Sequence, residues 1–132
     1  MAIAFHCSTD SLRTWSGDAL AVGVFAGEAG ETTRTALAAR FGAALPARLE
    51  QRRFRAKPGE CLVLERLGET PATLVLIGLG EPAGFGYEHL RHATAAASKA
   101  AAASGAQHLG LALPLEDAAA AAEALAAVEI RM

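Results

Sequence analysis

Apolar residues fall into two patterns along the chain. Short runs of branched residues mark strands, and longer alanine-rich stretches with apolar positions three and four apart mark helices. The strongest strand signal is Leu74, Val75, Leu76 and Ile77, an unbroken run too short for a helix and suited to a strand covered on both faces. Gly78, Gly80, Gly84 and Gly86 follow, and a helical pattern opens near Tyr87. The stretch 72–87 therefore predicts a buried strand, a glycine loop and a helix start, and the other elements are expected to pack around it.

Upstream, Ala2 to Cys7 alternates around Ile3 and Phe5 and predicts a first strand. Leu12 and Trp15 suggest a helical turn inside the polar stretch Ser8 to Ser16. Asp18 to Phe25, written DALAVGVF, predicts a strand with Leu20, Val22 and Val24 on one face. Thr32 or Thr33 is expected to cap a helix carrying Leu37, Arg40, Phe41 and Leu45, with Pro46 opening a further short turn or helix. Pro58-Gly59 marks a turn, and Glu60 to Leu67 predicts a strand with Leu62 and Leu64 on one face and Cys61 and Val63 on the other. Only Gly68 to Pro71 separates it from the central run, so those two strands are expected to be antiparallel neighbours.

Downstream, Tyr87 to Ser104 predicts a helix with Leu90, Ala93, Ala97 and Ala101 on one stripe, stopped by Gly105. Gln107 to Leu113 predicts a strand, which makes a βαβ unit with parallel strands and a right-handed crossover. Leu115 to Met132 predicts a last helix whose stripe Leu125, Val128, Met132 runs uncapped to the final residue, the pattern expected of a fragment or an excised domain. The result is an α/β domain with a mixed sheet, occupying residues 1–132 as one unit.

Composition adds a constraint on packing. Alanine supplies 33 of the 132 residues, so core volume must come from the fewer Leu, Val, Ile and Phe side chains, and alanine lets helices lie close to the sheet. A formal charge of −2 sets up no global field for nucleic acid or an anionic membrane. No leader pattern or membrane-length apolar run is visible, and the sequence predicts a soluble cytoplasmic protein with no membrane partner.

Candidate chemistry is sparse. The glycine loop Gly78, Gly80, Gly84, Gly86 is a candidate anion site at a helix start, although Ala83 stands where a dinucleotide fingerprint has its third glycine and Glu81 would repel a phosphate. Arg48, Arg52, Arg53, Arg55 and Lys57 form the one dense basic cluster, with Phe54 inside it. They are a candidate nucleic-acid surface, weighed against the commoner solvated helix face followed by a loop. His89 and His92 have helical spacing but no evident third ligand, and read as solvated surface side chains. His6 and His108 read as core-edge residues, Asp10 and Asp18 as turn and strand-start residues. Cys7 and Cys61 lie in separate strand patterns outside any CxxC and read as small core residues. No residue is assigned a catalytic, cofactor or metal role.

The order of DALAVGVF, FRAKPGECLVLERL, TLVLIGLG and LRHATAAASKAAAASGAQHLGLALP resembles the N-terminal domain of the M17 leucyl (cytosol) aminopeptidases, over about Ala2 to Leu125. The resemblance implies a macrodomain-like three-layer α/β/α sandwich that serves assembly and shapes access to active sites in a hexamer. Its partners would be its own catalytic domain and sister subunits. The two divalent metal ions, zinc or manganese, and the catalytic groups would belong to a separate C-terminal domain, whose NTDAEGR signature does not occur here. Alanine replaces larger residues over much of the last two helical stretches, a departure from the family pattern. Two alternatives stand beside this one: a macrodomain-like pocket for ADP-ribose or another nucleotide, in a chain with no asparagine for the usual macrodomain motif, and nucleic-acid binding through the 48–57 cluster.

Overall fold

The computed structural model describes residues 4–7, 17–66, 68–112 and 127–131. The apolar run at its centre forms a strand, β4 (Thr73–Gly80), in which all eight residues are buried. Alternation of side chains sends Leu74 and Leu76 to one face, and Val75, Ile77 and Leu79 to the other. On one side β4 pairs in parallel with β2 (Ala19–Phe25), and on the other it pairs antiparallel with β3 (Cys61–Glu65). The short connection between β3 and β4 thus makes the hairpin that its length predicts. Arg66 braces that connection: its guanidinium donates to the Pro71 carbonyl (2.9 Å) and lies 4.5 Å from the ring centroid of Phe41.

Among the described residues one mixed sheet has the order β1-β6-β5-β2-β4-β3, with β1 at Ala4–Cys7, β5 at His108–Ala112 and β6 at Ala127–Arg131. The helices α1 (Glu31–Phe41) and α2 (Ala44–Gln51) cover the face carrying Leu20, Val22, Val24, Leu74 and Leu76, through Ala36, Leu37, Leu45 and Leu49. The opposite face, with Val75, Ile77, Leu109 and Leu111, is covered by α3 (Tyr87–Ala103) through Ala93, Ala97 and Ala101. The architecture is therefore α/β/α in three layers. Among the described side chains of α3 only alanines are enclosed, so the helix backbone lies close on the sheet and the sheet's Leu, Ile and Val fill the layer between.

β4 and β5, joined by α3, both run parallel to β2, which lies between them. Asp18 sets this register: its Oδ2 accepts N–H bonds from Gln107 (2.8 Å) and His108 (3.2 Å) at the start of β5. Helix α3 ends as Gly105 predicts. Its φ of +78° lets the Gly105 and Ala106 N–H groups turn back to Ala102 and Ala101.

Four expectations need correction. Residues 127–131 form a strand and not the end of a helix. Val128 and Ile130 alternate with Ala127, Glu129 and Arg131, and β6 is held between β1 and β5, antiparallel to both, an arrangement that no local periodicity reveals. Neither Thr32 nor Thr33 caps α1, which begins at Glu31 directly from a 3-10 turn (Gly27–Gly30), where the Glu31 N–H already bonds the Glu28 carbonyl. The helix expected to carry both Phe41 and Leu45 is broken at Gly42, whose φ is +104°. Cys61 is exposed rather than in the core, because it opens the last strand of the sheet; partial desolvation pushes its thiol pKa up. The expected turn at Leu12 and Trp15, and the part of the last helix from Leu115 to Ala126, lie outside the described residues, as does Leu67 at the end of the expected strand from Glu60.

Two substitutions probe the layers. Leu76→Ala, at a position with no exposure, is expected to cost about 3 kcal/mol in a denaturant titration. Ala97→Leu, equally enclosed, is expected to cost about 2 kcal/mol, because α3 cannot move off the sheet without opening the layer.

Candidate site at the carboxyl ends of the parallel strands

β2 leads into α1 on one face of the sheet, while β4 leads through a 3-10 turn (Pro82–Gly84) into α3 on the other. Adjacent parallel strands whose chains leave in opposite directions open a crevice beyond their carboxyl ends, the usual ligand position in such sheets. Here that crevice has a volume of about 360 Å³ and is bordered by Ala26 after β2, by Gly80 at the end of β4, and by Glu81 and Gly84 beyond it. Arg55, Lys57 and His89 complete its polar lining. A smaller space of about 200 Å³ adjoins it, sharing Pro58, Leu79 and His89 and extending to Gly59, Gly78, His92 and Ala93.

The wall formed by residues 55–60 begins at the end of α2. The Phe54 N–H bonds the Leu49 carbonyl and the Arg53 N–H bonds the Glu50 carbonyl, both at 3.0 Å, a Schellman closure in which Leu49 and Phe54 pack in one cluster. Arg53 occupies the position that favours glycine, with φ +56°. Phe54 is thereby a core residue at 8% exposure and not the aromatic contact suggested by its basic neighbours. The chain then crosses to β4. Ala56, buried and at φ +57°, accepts the Gly80 N–H (2.9 Å), and Glu60 accepts the Gly78 N–H (2.7 Å) on its carbonyl.

Lys57-Pro58-Gly59-Glu60 makes a turn closed by the Glu60 N–H to the Lys57 carbonyl (2.9 Å), and Gly59 at φ +81° fits the third position of a type II turn. The Glu60 carboxylate folds over the same loop, where Oε1 accepts the N–H groups of Arg55 (3.0 Å) and Lys57 (3.1 Å). Thus one acid holds the main chain of both cations that line the crevice.

This crossing requires glycine twice. A Cβ on Gly78 would stand 2.1 Å from the Lys57 carbonyl oxygen, and one on Gly80 would stand 2.5 Å from Pro58 Cγ. The four glycine N–H groups of the candidate anion loop all donate within the chain. Gly78 and Gly80 bond Glu60 and Ala56, Gly84 bonds the Glu81 carbonyl (3.1 Å), and Gly86 bonds His89 Nδ1 (3.2 Å). His89 therefore closes the first turn of α3, and its ring also lies 6.0 Å from that of Phe85, which meets Phe25 edge-on at 5.3 Å. These rings tie the end of β2 to the start of α3.

The basic cluster divides. Arg48, Arg52 and Arg53 are exposed at the end of α2, whereas Arg55 and Lys57 reach the crevice and stand beside the glycine loop. Arg55 also pairs with Glu50 at 3.7 Å. Two features that are separate in sequence, the 48–57 cluster and the 78–86 glycines, thus meet at one place. His89 and His92 are exposed, as expected, and both line the smaller space. Among the described residues no group of three or more His, Cys, Asp or Glu side chains is arranged to hold a metal ion.

A three-layer α/β/α domain with a switch-point crevice is the class that the fold and site define. Residues 21–130 match the cytosol aminopeptidase family, N-terminal domain, and the chain belongs to that family. It is similar to three proteins named probable cytosol aminopeptidase. The protein from Synechococcus sp. (strain CC9605) is 44% identical over 83% of this chain and 22% of its own length. That from Parasynechococcus marenigrum (strain WH8102) is 42% identical over 91% and 25%, respectively. That from Prochlorococcus marinus (strain MIT 9313) is 39% identical over 88% and 24%. The chain thus spans about a quarter of the length of these relatives.

Two backbone effects are open to measurement. Gly78→Ala is expected to lower stability by about 3 kcal/mol, since the clashing partner is main chain. Arg53→Gly is expected to raise it by about 0.5 kcal/mol, through release from the left-handed conformation, with a melting temperature higher by about 2 °C.

Proposed function

We propose that this chain is the non-catalytic N-terminal domain of a cytoplasmic leucyl aminopeptidase, a dimetal enzyme that removes N-terminal residues from peptides. The observation that carries this reading is the family match over residues 21–130, together with relatives about four times as long. In this reading the two zinc or manganese ions and the reacting groups belong to a catalytic domain elsewhere in the parent protein. The present domain contributes to subunit assembly and shapes access to the active sites, with sister subunits of a hexamer as its partners. No helix among the described residues is long and apolar enough to cross a membrane.

The chain assayed with leucine p-nitroanilide and Mn²⁺ or Zn²⁺ is expected to give no turnover. Metal-dependent hydrolysis that copurifies with the chain would overturn the non-catalytic assignment. For the assembly role, sedimentation of the parent enzyme with and without this domain is the check. Deletion is expected to shift the enzyme to smaller species, and an unchanged hexamer would refute that role.

A further inference from the structure

Lys57 and Glu81 line the same crevice with opposite charges, and neither side chain has a hydrogen bond or ion pair among the described residues. Within the described residues each charge is left to a ligand or to water. A purely anionic ligand satisfies Lys57 and Arg55 but meets Glu81, and a purely cationic one reverses the conflict. The backbone offers an anion no help, since the loop N–H groups at Gly78, Gly80, Gly84 and Gly86 are already donated. Holding a carboxylate falls to the side-chain cations, whose main chain Glu60 fixes. On the far side of His89 the adjoining space is bordered by Leu79, Pro58 and Ala93, an apolar recess of side-chain size.

We propose that this crevice binds a free α-amino acid with an apolar side chain. Its carboxylate meets Lys57 and Arg55, its ammonium meets Glu81, and its side chain enters the recess beside Leu79. His89 adds specificity at the boundary. Its Nδ1 is committed as an acceptor to Gly86, so the neutral ring carries its proton on Nε2 and is a donor there. The choice of leucine as ligand, and its meaning as product sensing by the parent enzyme, rest on the reading of the chain as an aminopeptidase domain.

The test is titration of the 132-residue chain with leucine, followed by amide NMR shifts and calorimetry. Leucine is expected to bind saturably and to move the amides of Lys57, Gly80, Glu81 and His89. N-acetyl-leucine, without the ammonium, and leucinamide, without the carboxylate, are each expected to bind about three- to fivefold more weakly, the upper end of what one partly exposed ion pair is worth. Lys57→Met and Glu81→Gln are expected to weaken leucine by a similar factor with spectra otherwise unchanged. Glu81→Gln is also expected to abolish the preference for leucine over N-acetyl-leucine. The proposal is overturned if leucine leaves these amides unmoved, if N-acetyl-leucine binds as tightly as leucine, or if ADP-ribose moves them where leucine does not. Binding is read on this chain alone, so its failure would remove the site and leave the assembly function standing. Hydrolytic activity of the chain would remove the non-catalytic assignment and leave the site.

Discussion

The close passage of residues 56–60 across the end of β4 is the constraint on which the rest of the site depends. Three main-chain hydrogen bonds, from Gly59 to Gly78, Gly78 to Glu60 and Gly80 to Ala56, hold two segments at a separation that a single methyl group would spoil. That contact closes one wall of the crevice and carries β3 into register with β4. It also brings Arg55 and Lys57 to the carboxyl ends of the parallel strands. The cost is visible in Ala56 and Arg53, two residues with side chains in left-handed backbone, each disfavoured by about 1 kcal/mol or more. The Schellman closure of α2 and the Glu60 carboxylate offset it.

The alanine content has a related consequence. Where α3 meets the sheet, small side chains remove the spacing that larger ones would impose, and the fully buried Val75, Ile77 and Leu109 lie opposite them. Close packing of this kind places the first two turns of α3, with His89 and His92, over the end of β4. A helix standing further off would leave those histidines away from Leu79 and Pro58. Packing and site geometry are thus one problem, solved by the same residues.

Much of this was legible along the chain. β4 shows as an unbroken apolar run, the β3–β4 hairpin as a short polar connection, and α3 as a stripe closed by Gly105. Each depends on neighbours within a few residues, so local preference and tertiary packing agree. β6 was hidden because alanine before it favours helix, and five residues carry too short an alternation to outweigh that trend. A strand there is stabilised by β1 and β5, which are distant in sequence. Cys61 misled for a similar reason: alternation assigns a residue to a face but does not say whether the strand lies at an edge.

The sequence by itself determined the class of fold, the central strand with its glycine exit, and the family to which the chain belongs, since these follow from periodicity and from motifs in order. Only the tertiary structure decided what the glycines and the basic residues are for. Gly78 and Gly80 admit a crossing main chain and have their N–H groups satisfied by it. Lys57 and Glu81, twenty-four positions apart, share a crevice because two parallel strands send their chains to opposite faces of one sheet. Such a juxtaposition arises from topology, and no local pattern encodes it.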